Sequence, residues 1–327
     1  MKRVVMFDTS IGSLNQGDEI INISIKNNWY DFYMKNYIIK LPSHTPCYSK
    51  LQSIIYHKKL DVIKNADYKF LCGTNALYTN MLRPLPSWNI NLFNTELIKN
   101  TVCLGVGIGV NSNDVNWYTK KLYDKVLSHD YIHSVRDERT SEFLTKLGFK
   151  NLCTGCPTLW GITKELCDNI PSKKSENAVF TLTYYDTDVK NDRLMIDVLL
   201  RMYNKVYFWP QCIKDLEYLE SFGFKEKIII IPPNVEAYST FLKANDCDYI
   251  GNRLHGGIFA IQHKKRAVII SIDYRAKEMN KTFTFECIER KNIGNLLYEK
   301  LNTSWYTAIK GIDFDLVNDW KKQFSYE

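Results

Sequence analysis

Short apolar strands alternate with amphipathic helices along most of the chain, and this alternation limits the fold more than any other feature. In the first half, strand-like runs such as Arg3–Asp8 and Tyr68–Cys72 lie between helical patterns such as those at 18–35 and 138–147. A stretch rich in Asn, Pro, Ser and Lys follows at 168–174, and the alternation then begins again. Strands that alternate with helices form parallel sheets with helices on both faces. We therefore predict an α/β fold with parallel sheets.

The restart of the alternation predicts two α/β halves that face a cleft. A chain of 327 residues is long enough for two domains of ordinary size. We place the first domain at 1–168 and the second at 175–303. The last residues, 304–327, carry Trp305 and Trp320 among polar residues, and the stretch 304–323 is predicted to be a helix that packs back on the body.

Composition narrows the class of protein and the compartment. The 43 basic and 36 acidic residues give a net charge of +7 without a basic block, which argues against a nucleic-acid partner. The excess of basic residues has two possible interpretations. It provides general solubility, or it gives a weak bias toward anionic partners, either substrates or a membrane surface. The apolar start is too short for a signal peptide, and no apolar run has the length of a membrane span. We expect a cytoplasmic protein with reduced cysteines.

Cys153 and Cys156 form the one Cys-x-x-Cys pair of the sequence. A zinc site needs a second pair of ligands at a suitable spacing, and none follows. A redox motif normally opens a helix, whereas Pro157 places this pair in a turn. We expect structural thiols near a turn and assign no metal.

The run from Tyr249 to Ile261 carries the strongest functional signal. An apolar strand leads to Arg253, and a helix follows whose first turn contains His255. A guanidinium, an imidazole and the free N–H groups of a helix start then lie at one point, which suits a small anion such as a phosphate. A plain helix-capping role for His255 is the alternative.

Arg136 lies at an equivalent place in the first half, between the strand-like 131–136 and the helical 138–147. Two arginines at carboxyl ends of strands, one per half, could hold one anion across the cleft. For either arginine alone, an ordinary ion pair is the alternative. Asn15, Gly17 and Asp18 form a polar turn before a helix, and Asp18 is either a helix cap or a site residue.

Several motifs that mark a nucleotide-binding site or a hydrolase nucleophile are absent from the sequence. It has no phosphate-binding loop with a Gly-Lys-Ser/Thr ending and no nucleophilic serine between two glycines. The glycines at 105, 107 and 109 follow a strand but lack the spacing of a dinucleotide fingerprint. We interpret them as close backbone packing near a ligand.

Taken in order, these motifs resemble the polysaccharide pyruvyl transferase family over roughly residues 4–280. The residues that carry the resemblance are Asn15, Gly17, Asp18, Ser134, Arg136, Asp137, Glu138, Gly251, Arg253, Leu254, His255, Gly256, Phe259, Ala260, Ile272, Tyr274 and Lys277. The chain departs from the usual family pattern at 72–75 and at 156–158. The resemblance implies two Rossmann-like domains in the glycosyltransferase-B arrangement.

The resemblance also implies a reaction. A pyruvyl group would pass from phosphoenolpyruvate to two hydroxyls of a sugar in a surface polysaccharide or its precursor, which gives a cyclic ketal and phosphate. It implies that Arg136, Arg253, Leu254 and His255 contact phosphoenolpyruvate. Among these we expect catalytic roles for His255 as proton donor and for Arg253 and Arg136 in stabilising the phosphate. The expected substrate-binding residues are Leu254, Asn15, Asp18, Asn75, Tyr274 and Lys277.

The expected partners are small molecules and glycans. They are phosphoenolpyruvate as donor and a sugar, oligosaccharide or lipid-linked glycan as acceptor, with no cofactor. The expected location is the cytoplasm, with peripheral association at the inner face of the membrane left open. A glycosyltransferase of the same fold that uses nucleotide sugars is the alternative, with Glu286 or Glu289 near the ribose.

Overall fold

The computed structural model describes residues 1–48, 50–109, 114–272 and 274–324. The side chains of Lys50, Ser53, Lys59, Lys225, Tyr274 and Arg275 are outside this description. The chain divides into two compact units. The first comprises Met1–Ser13, Ile21–Trp160 and Asp313–Glu327, and the second comprises Leu14–Ile20 and Gly161–Ile312.

The first unit is built on a parallel sheet. Its strands are β1 (Arg3–Asp8), β2 (Tyr37–Pro42), β3 (Tyr68–Cys72), β4 (Asn75–Leu77), β5 (Thr101–Leu104), β6 (Gly107–Ile108), β7 (His133–Val135) and β8 (Asn151–Cys153). The main sheet has the order β2-β1-β3-β5, and every pair in it is parallel. The parallel pair β7–β8 continues beside β5, where the backbone N–H of Gly105 donates to the Ser134 carbonyl at 3.0 Å.

Helices surround this sheet, and one of them is broken where the sequence predicts continuity. They are α1 (Gln16–Asn28), α2 (Tyr30–Lys35), α3 (Lys50–Ile55), α4 (His57–Lys64), α5 (Trp117–Val126) and α6 (Glu138–Lys146), with a 3-10 turn at Thr95–Leu97. The single helix predicted over 18–35 is interrupted at Trp29, whose φ of −130° is not helical. The Trp29 ring is buried and stacks on Phe32 with the ring centroids 4.0 Å apart. We attribute the interruption of the helix to this packing of the Trp29 side chain.

The second unit is a doubly wound α/β sheet. Its elements are α7 (Lys164–Asp168), β9 (Asn177–Thr181), α8 (Val189–Met202), β10 (Lys205–Phe208), α9 (Ile213–Glu220), β11 (Ile229–Ile230), α10 (Val235–Ala244), β12 (Cys247–Gly251), α11 (Leu254–Gln262), β13 (Ala267–Ser271), α12 (Tyr274–Phe283), β14 (Cys287–Glu289) and α13 (Ile293–Asn302), with 3-10 turns at Lys225–Lys227 and Arg290–Asn292. The strand order β11-β10-β9-β12-β13-β14 is that of the Rossmann fold. All pairs are parallel, so the predicted α/β class with parallel sheets is confirmed.

The strand order reverses between β9 and β12. In open α/β sheets, ligands bind beyond the carboxyl ends of the strands at such a switch point. In this unit the carboxyl ends of β9 and β12 are Thr181 and Gly251, which face each other in the register. The fold therefore directs attention to the residues that follow Thr181 and Gly251.

The C-terminal helix is shorter than predicted. Helix α14 spans Phe314–Lys322, and the stretch 304–313 contains neither helix nor strand, so the prediction of helix there is wrong. Gly311 has a φ of +84°, which does not continue a helix, and the Asp313 carboxylate caps α14 by accepting from the Leu316 N–H at 2.9 Å. Trp320 packs against Trp29 and Phe70 within the first unit. Among the residues described, no helix is both long and apolar enough to cross a membrane.

Candidate active site

Arg253 lies at the switch point of the second unit, between the end of β12 and the start of α11. Its side chain is 5% exposed. The Nη2 group donates to both carboxylate oxygens of Asp215 at 2.5 and 2.6 Å, and Nε donates to the Leu182 carbonyl at 3.1 Å. A buried cation is costly unless it is paired and hydrogen-bonded. These contacts meet that requirement and fix the guanidinium.

Asp215 is itself held rigidly. It lies in the first turn of α9, where its carboxylate accepts from the backbone N–H groups of Tyr184 and Cys212 at 3.1 Å each. Burial raises the pKa of the Asp215 carboxyl, whereas Arg253 and these hydrogen bonds act to lower it. Asp215 lies at the start of a predicted helix, but its pairing with Arg253, 38 residues further on, was not predicted. The available signal was a carboxylate in the first turn of a helix that follows a neighbouring strand.

His255 is the second residue of α11, so the structure places it in the first turn, as predicted. The side chain is half-buried. The N–H groups of a first helical turn lack partners within the helix and favour an anion. The turn is tied to the sheet because the Tyr249 hydroxyl donates to the Arg253 carbonyl at 2.7 Å. An imidazole and a guanidinium therefore flank a fixed helix start.

The polar turn at Asn15 starts helix α1. The helix begins at Gln16, and the Asn15 Oδ1 accepts from the Gly17 N–H at 3.2 Å. Asp18, which the sequence analysis weighed as the cap, lies instead in the first turn of the helix and is buried. Asp18 is therefore not the N-cap residue, because the helix starts two residues before it.

Gln211, which the sequence analysis missed, brings this turn and α11 together within the second unit. Its carbonyl accepts from the Gln16 N–H at 3.0 Å. A Cβ added to Gly17 would lie 3.2 Å from the Gln211 Oε1, and a Cβ added to Gly256 would lie 2.6 Å from the Gln211 Nε2. The side chain thus fits against two glycines, one in each helix start.

Arg136 occupies the matching position in the first unit, between β7 and α6. Its side chain is buried, and Nε donates to the Asp137 Oδ2 at 3.1 Å. The other carboxylate oxygen of Asp137 accepts from the Thr140 N–H at 2.8 Å and so caps α6. One carboxylate therefore both starts the helix and holds the arginine.

Asn75 and Arg136 come together over Gly107. A Cβ on Gly107 would lie 2.3 Å from the Arg136 Nε and 2.9 Å from the Asn75 Oδ1. Within the described part of the chain, that buried Asn75 oxygen has no hydrogen-bond partner. A Cβ on Gly105 would lie 2.2 Å from the Pro157 ring, and one on Gly109 would lie 2.3 Å from the Tyr78 ring. The prediction of close backbone packing along this glycine run is confirmed.

The remaining predicted site residues have fewer described contacts that bear on ligand binding. Leu254 is half-buried at the start of α11. Lys277, on α12, places its Nζ 3.1 Å from the Glu289 carboxylate. Tyr274 begins α12, and its side chain lies outside the described residues. That Arg136 and Arg253 act on one ligand stays a prediction.

The two carboxylates of the alternative interpretation are engaged by lysines. Glu286 pairs with Lys300 at 2.5 Å, and Glu289 pairs with both Lys277 and Lys291 at 3.1 Å.

The Cys-x-x-Cys pair shows the features of ordinary thiols. Burial raises the pKa of the Cys153 thiol to about 12 and also raises that of Cys156. The Cys156 sulfur accepts from the Thr158 hydroxyl at 3.1 Å. Over the described residues, no group of three or more His, Cys, Asp or Glu side chains is arranged to hold a metal ion.

Solved structures similar to this chain share its fold at low identity. UDP-GlcNAc 2-epimerase from Methanocaldococcus jannaschii, in complex with UDP-GlcNAc and UDP, superposes with a TM-score of 0.57 at 13% identity and covers 100% of both chains. MnaA of S. aureus, in a co-structure with UDP, superposes with a TM-score of 0.56 at 12% identity. The match covers 99% of this chain and 97% of the MnaA chain. These likenesses establish a glycosyltransferase-B-like α/β fold. No curated protein matches the chain.

The assignment of the chain to a protein family comes from its sequence. The sequence profile described as polysaccharide pyruvyl transferase matches residues 10–274. That range contains Arg136, Arg253 and His255 with the strands and helices that position them. The chain therefore belongs to the polysaccharide pyruvyl transferase family.

Proposed function

We propose that this protein transfers a pyruvyl group from phosphoenolpyruvate to two hydroxyls of a sugar in a surface polysaccharide or its precursor. Family membership supports a transferase that acts on polysaccharide. The observation that carries the proposal is the buried, Asp215-held Arg253 immediately before the helix start that contains His255. A fixed cation, a proton carrier and helix N–H groups are what an enol phosphate requires.

The reaction balances without a cofactor. A proton adds to the methylene carbon of phosphoenolpyruvate and leaves an oxocarbenium-like centre at the neighbouring carbon. One sugar hydroxyl attacks that carbon, and the phosphate departs with the electron pair of its C–O bond. A second hydroxyl then closes the cyclic ketal. Of the two hydroxyl protons, one replaces the proton added to the methylene carbon and the other leaves with the phosphate, so the products are the ketal and phosphate. No electron carrier or metal enters the balance.

The proposal assigns the proton to His255. An imidazole beside a bound phosphate is stabilised as imidazolium and can then act as a general acid. Arg253 and Arg136 stabilise the phosphate as it leaves. Asp18, buried in the first turn of α1, contacts the acceptor or serves as its base. Leu254, Asn15, Asn75, Tyr274 and Lys277 complete the proposed substrate contacts.

The acceptor is proposed as a class only. A sugar, an oligosaccharide or a lipid-linked glycan would supply the two hydroxyls. The proposed location is the cytoplasm, with a peripheral position at the inner face of the membrane for a lipid-linked acceptor.

Ligand-induced stabilisation and phosphate release test the proposal together. Phosphoenolpyruvate should raise the Tm of the protein because a ligand that binds only the folded state stabilises it. Phosphate release from phosphoenolpyruvate across a panel of glycans should then identify the acceptor. A Tm raised by nucleotide sugars and unaffected by phosphoenolpyruvate would contradict the proposal and favour the glycosyltransferase alternative.

A further inference from the structure

Unpartnered buried polar atoms concentrate around the switch point of the second unit. Over the residues described, buried side-chain atoms that lack a hydrogen-bond partner include the Gln211 Nε2, both amide atoms of Asn252, the Thr183 Oγ1 and the Gln16 Oε1. Gln211 is 2% exposed, Asn252 5% and Thr183 0%. A buried polar group without a partner is costly, and native proteins rarely keep one without a reason.

The topology places these atoms at one edge of the sheet. Thr183 follows β9, Gln211 follows β10 and Asn252 follows β12. These three strands are adjacent and parallel, so their carboxyl ends share an edge. The Asn252 N–H reaches the Thr181 carbonyl at 3.4 Å. This is the same edge at which Arg253 and His255 begin α11.

Contacts place Gln211 next to that helix. Its Nε2 lies 2.6 Å from where a Cβ on Gly256 would be, and Gly256 directly follows His255. Asn252 directly precedes Arg253 in the chain. The Gln211 amide therefore lies beside the start of α11, and Asn252 lies at the same edge of the sheet, one residue before Arg253.

The charges at the site leave the carboxylate of the donor without an assigned partner. Arg253 is already paired with Asp215, so together they add no net charge. Phosphoenolpyruvate carries a phosphate and a carboxylate, and the proposed function assigns both Arg253 and Arg136 to the phosphate, which leaves the carboxylate without a donor. The carboxylate, unlike the phosphate, remains part of the transferred pyruvyl group from substrate to product. Amide N–H donors can hold such a group throughout without competing for Asp215.

We propose that the side-chain amides of Gln211 and Asn252 bind the carboxylate of the donor, as substrate-contacting residues additional to Arg253 and His255. This inference rests on the proposed function, since it takes phosphoenolpyruvate as the donor. The Gln211 Nε2 and the Asn252 Nδ2 donate to the two carboxylate oxygens. The glycines at 17 and 256 leave the room that the Gln211 side chain occupies.

The test measures binding of phosphoenolpyruvate and of its carboxyl methyl ester, which keeps the phosphate but lacks the carboxylate charge. The full-length wild type is compared with Gln211→Met and Asn252→Leu, which keep the side-chain shape and remove the donors. Wild type should prefer phosphoenolpyruvate over the ester by about 10-fold to 100-fold, the range for hydrogen bonds to a charged group. Each variant should lose most of this preference.

Stability of the unliganded protein provides a second readout. If the amides serve a ligand, their apolar replacements should not lower the Tm of the free protein, because no protein hydrogen bond is lost. A purely structural role would lower it. Ser43→Ala is the matched control, since Ser43 is a buried residue of the first unit whose hydroxyl has no partner within the described residues. This control should keep the wild-type preference.

The outcomes separate this inference from the proposed function. If wild type binds neither compound, the proposed function fails and the inference fails with it. If wild type binds both compounds equally, or if both variants keep the preference for phosphoenolpyruvate, only the inference is overturned.

Discussion

The regions around Arg136 and Arg253 each hold a buried arginine in place, but they do so through different contacts. Each arginine is buried between a parallel strand and the helix that follows it, and each is paired with an aspartate. Arg136 pairs with Asp137, its neighbour in the chain, and lies over the bare backbone of Gly107. Arg253 pairs with Asp215 from a separate strand–helix connection.

This difference shows what holds each cation in place. The Arg136 pair is local, since Asp137 is fixed by capping its own helix. The Arg253 pair depends on tertiary structure, because Asp215 also accepts from the backbone of Tyr184 and Cys212. We therefore expect the Arg253 pair to contribute to the stability of the second unit. The position of Arg136 should depend mainly on the side chains and backbone that touch it.

Removal of Asp215 should have the largest effect. Asp215→Ala leaves the Arg253 guanidinium buried without its counter-ion and should destabilise the protein by about 3–5 kcal/mol. Denaturant unfolding monitored by circular dichroism measures this. The double variant Asp215→Leu/Arg253→Met removes both charges and should recover part of the loss. A single variant that unfolds like wild type would show that the pair does not hold the region together.

Acid should weaken the Arg136 region next. His133 lies in β7, where its Nδ1 accepts from the Cys103 N–H at 3.0 Å and its Nε2 donates to the Ser128 carbonyl at 2.9 Å. Burial lowers the pKa of His133 to about 4, below the unfolded value of 6.5. The unfolded chain therefore binds the proton first, and stability falls as the pH drops from about 6.5 to about 4, by up to about 3 kcal/mol.

Hydrogen exchange of peptides that contain 131–136 and 249–253 checks this prediction. Protection of the first peptide should decline over that pH range, and His133→Gln should flatten the decline. An unchanged pH dependence in the variant would mean that His133 is not the responsible group.

The smallest expected effect concerns Gly107. Gly107→Ala would place a Cβ 2.3 Å from the Arg136 Nε and displace the guanidinium, at a cost of about 1–3 kcal/mol. The rate of phosphate release should fall because the Arg136 guanidinium is displaced. Gly294→Ala is the matched control, because its added Cβ meets only the Leu194 side chain at 3.4 Å. Equal activities of the two variants would contradict the steric account of Arg136.

Much of the fold is predictable from local pattern. Strands β1 and β3 have the bounds that the sequence indicates, because buried strands form continuous apolar runs. Helix α6 likewise ends before Gly148, as its sequence signals. Strand β2, Tyr37–Pro42, was not predicted; Asn36 alone separates it from helix α2, so the helical pattern runs almost directly into the strand.

The site is predictable only in part, for a physical reason. Arg253 and His255 are close in the chain, and the junction of a strand with a helix shows itself in the sequence. Asp215 and Gln211 reach the same site through the order of the strands in the sheet. Their contacts arise from tertiary packing, which no local pattern encodes.

The most direct test of the central claim is the phosphate release of His255→Ala. With phosphoenolpyruvate and an acceptor that wild type uses, the variant should release no phosphate while its circular dichroism and Tm stay close to those of wild type. His129→Ala, which removes an exposed imidazole of the first unit, should retain wild-type activity. Near-normal phosphate release by His255→Ala would contradict the assignment of the proton donor.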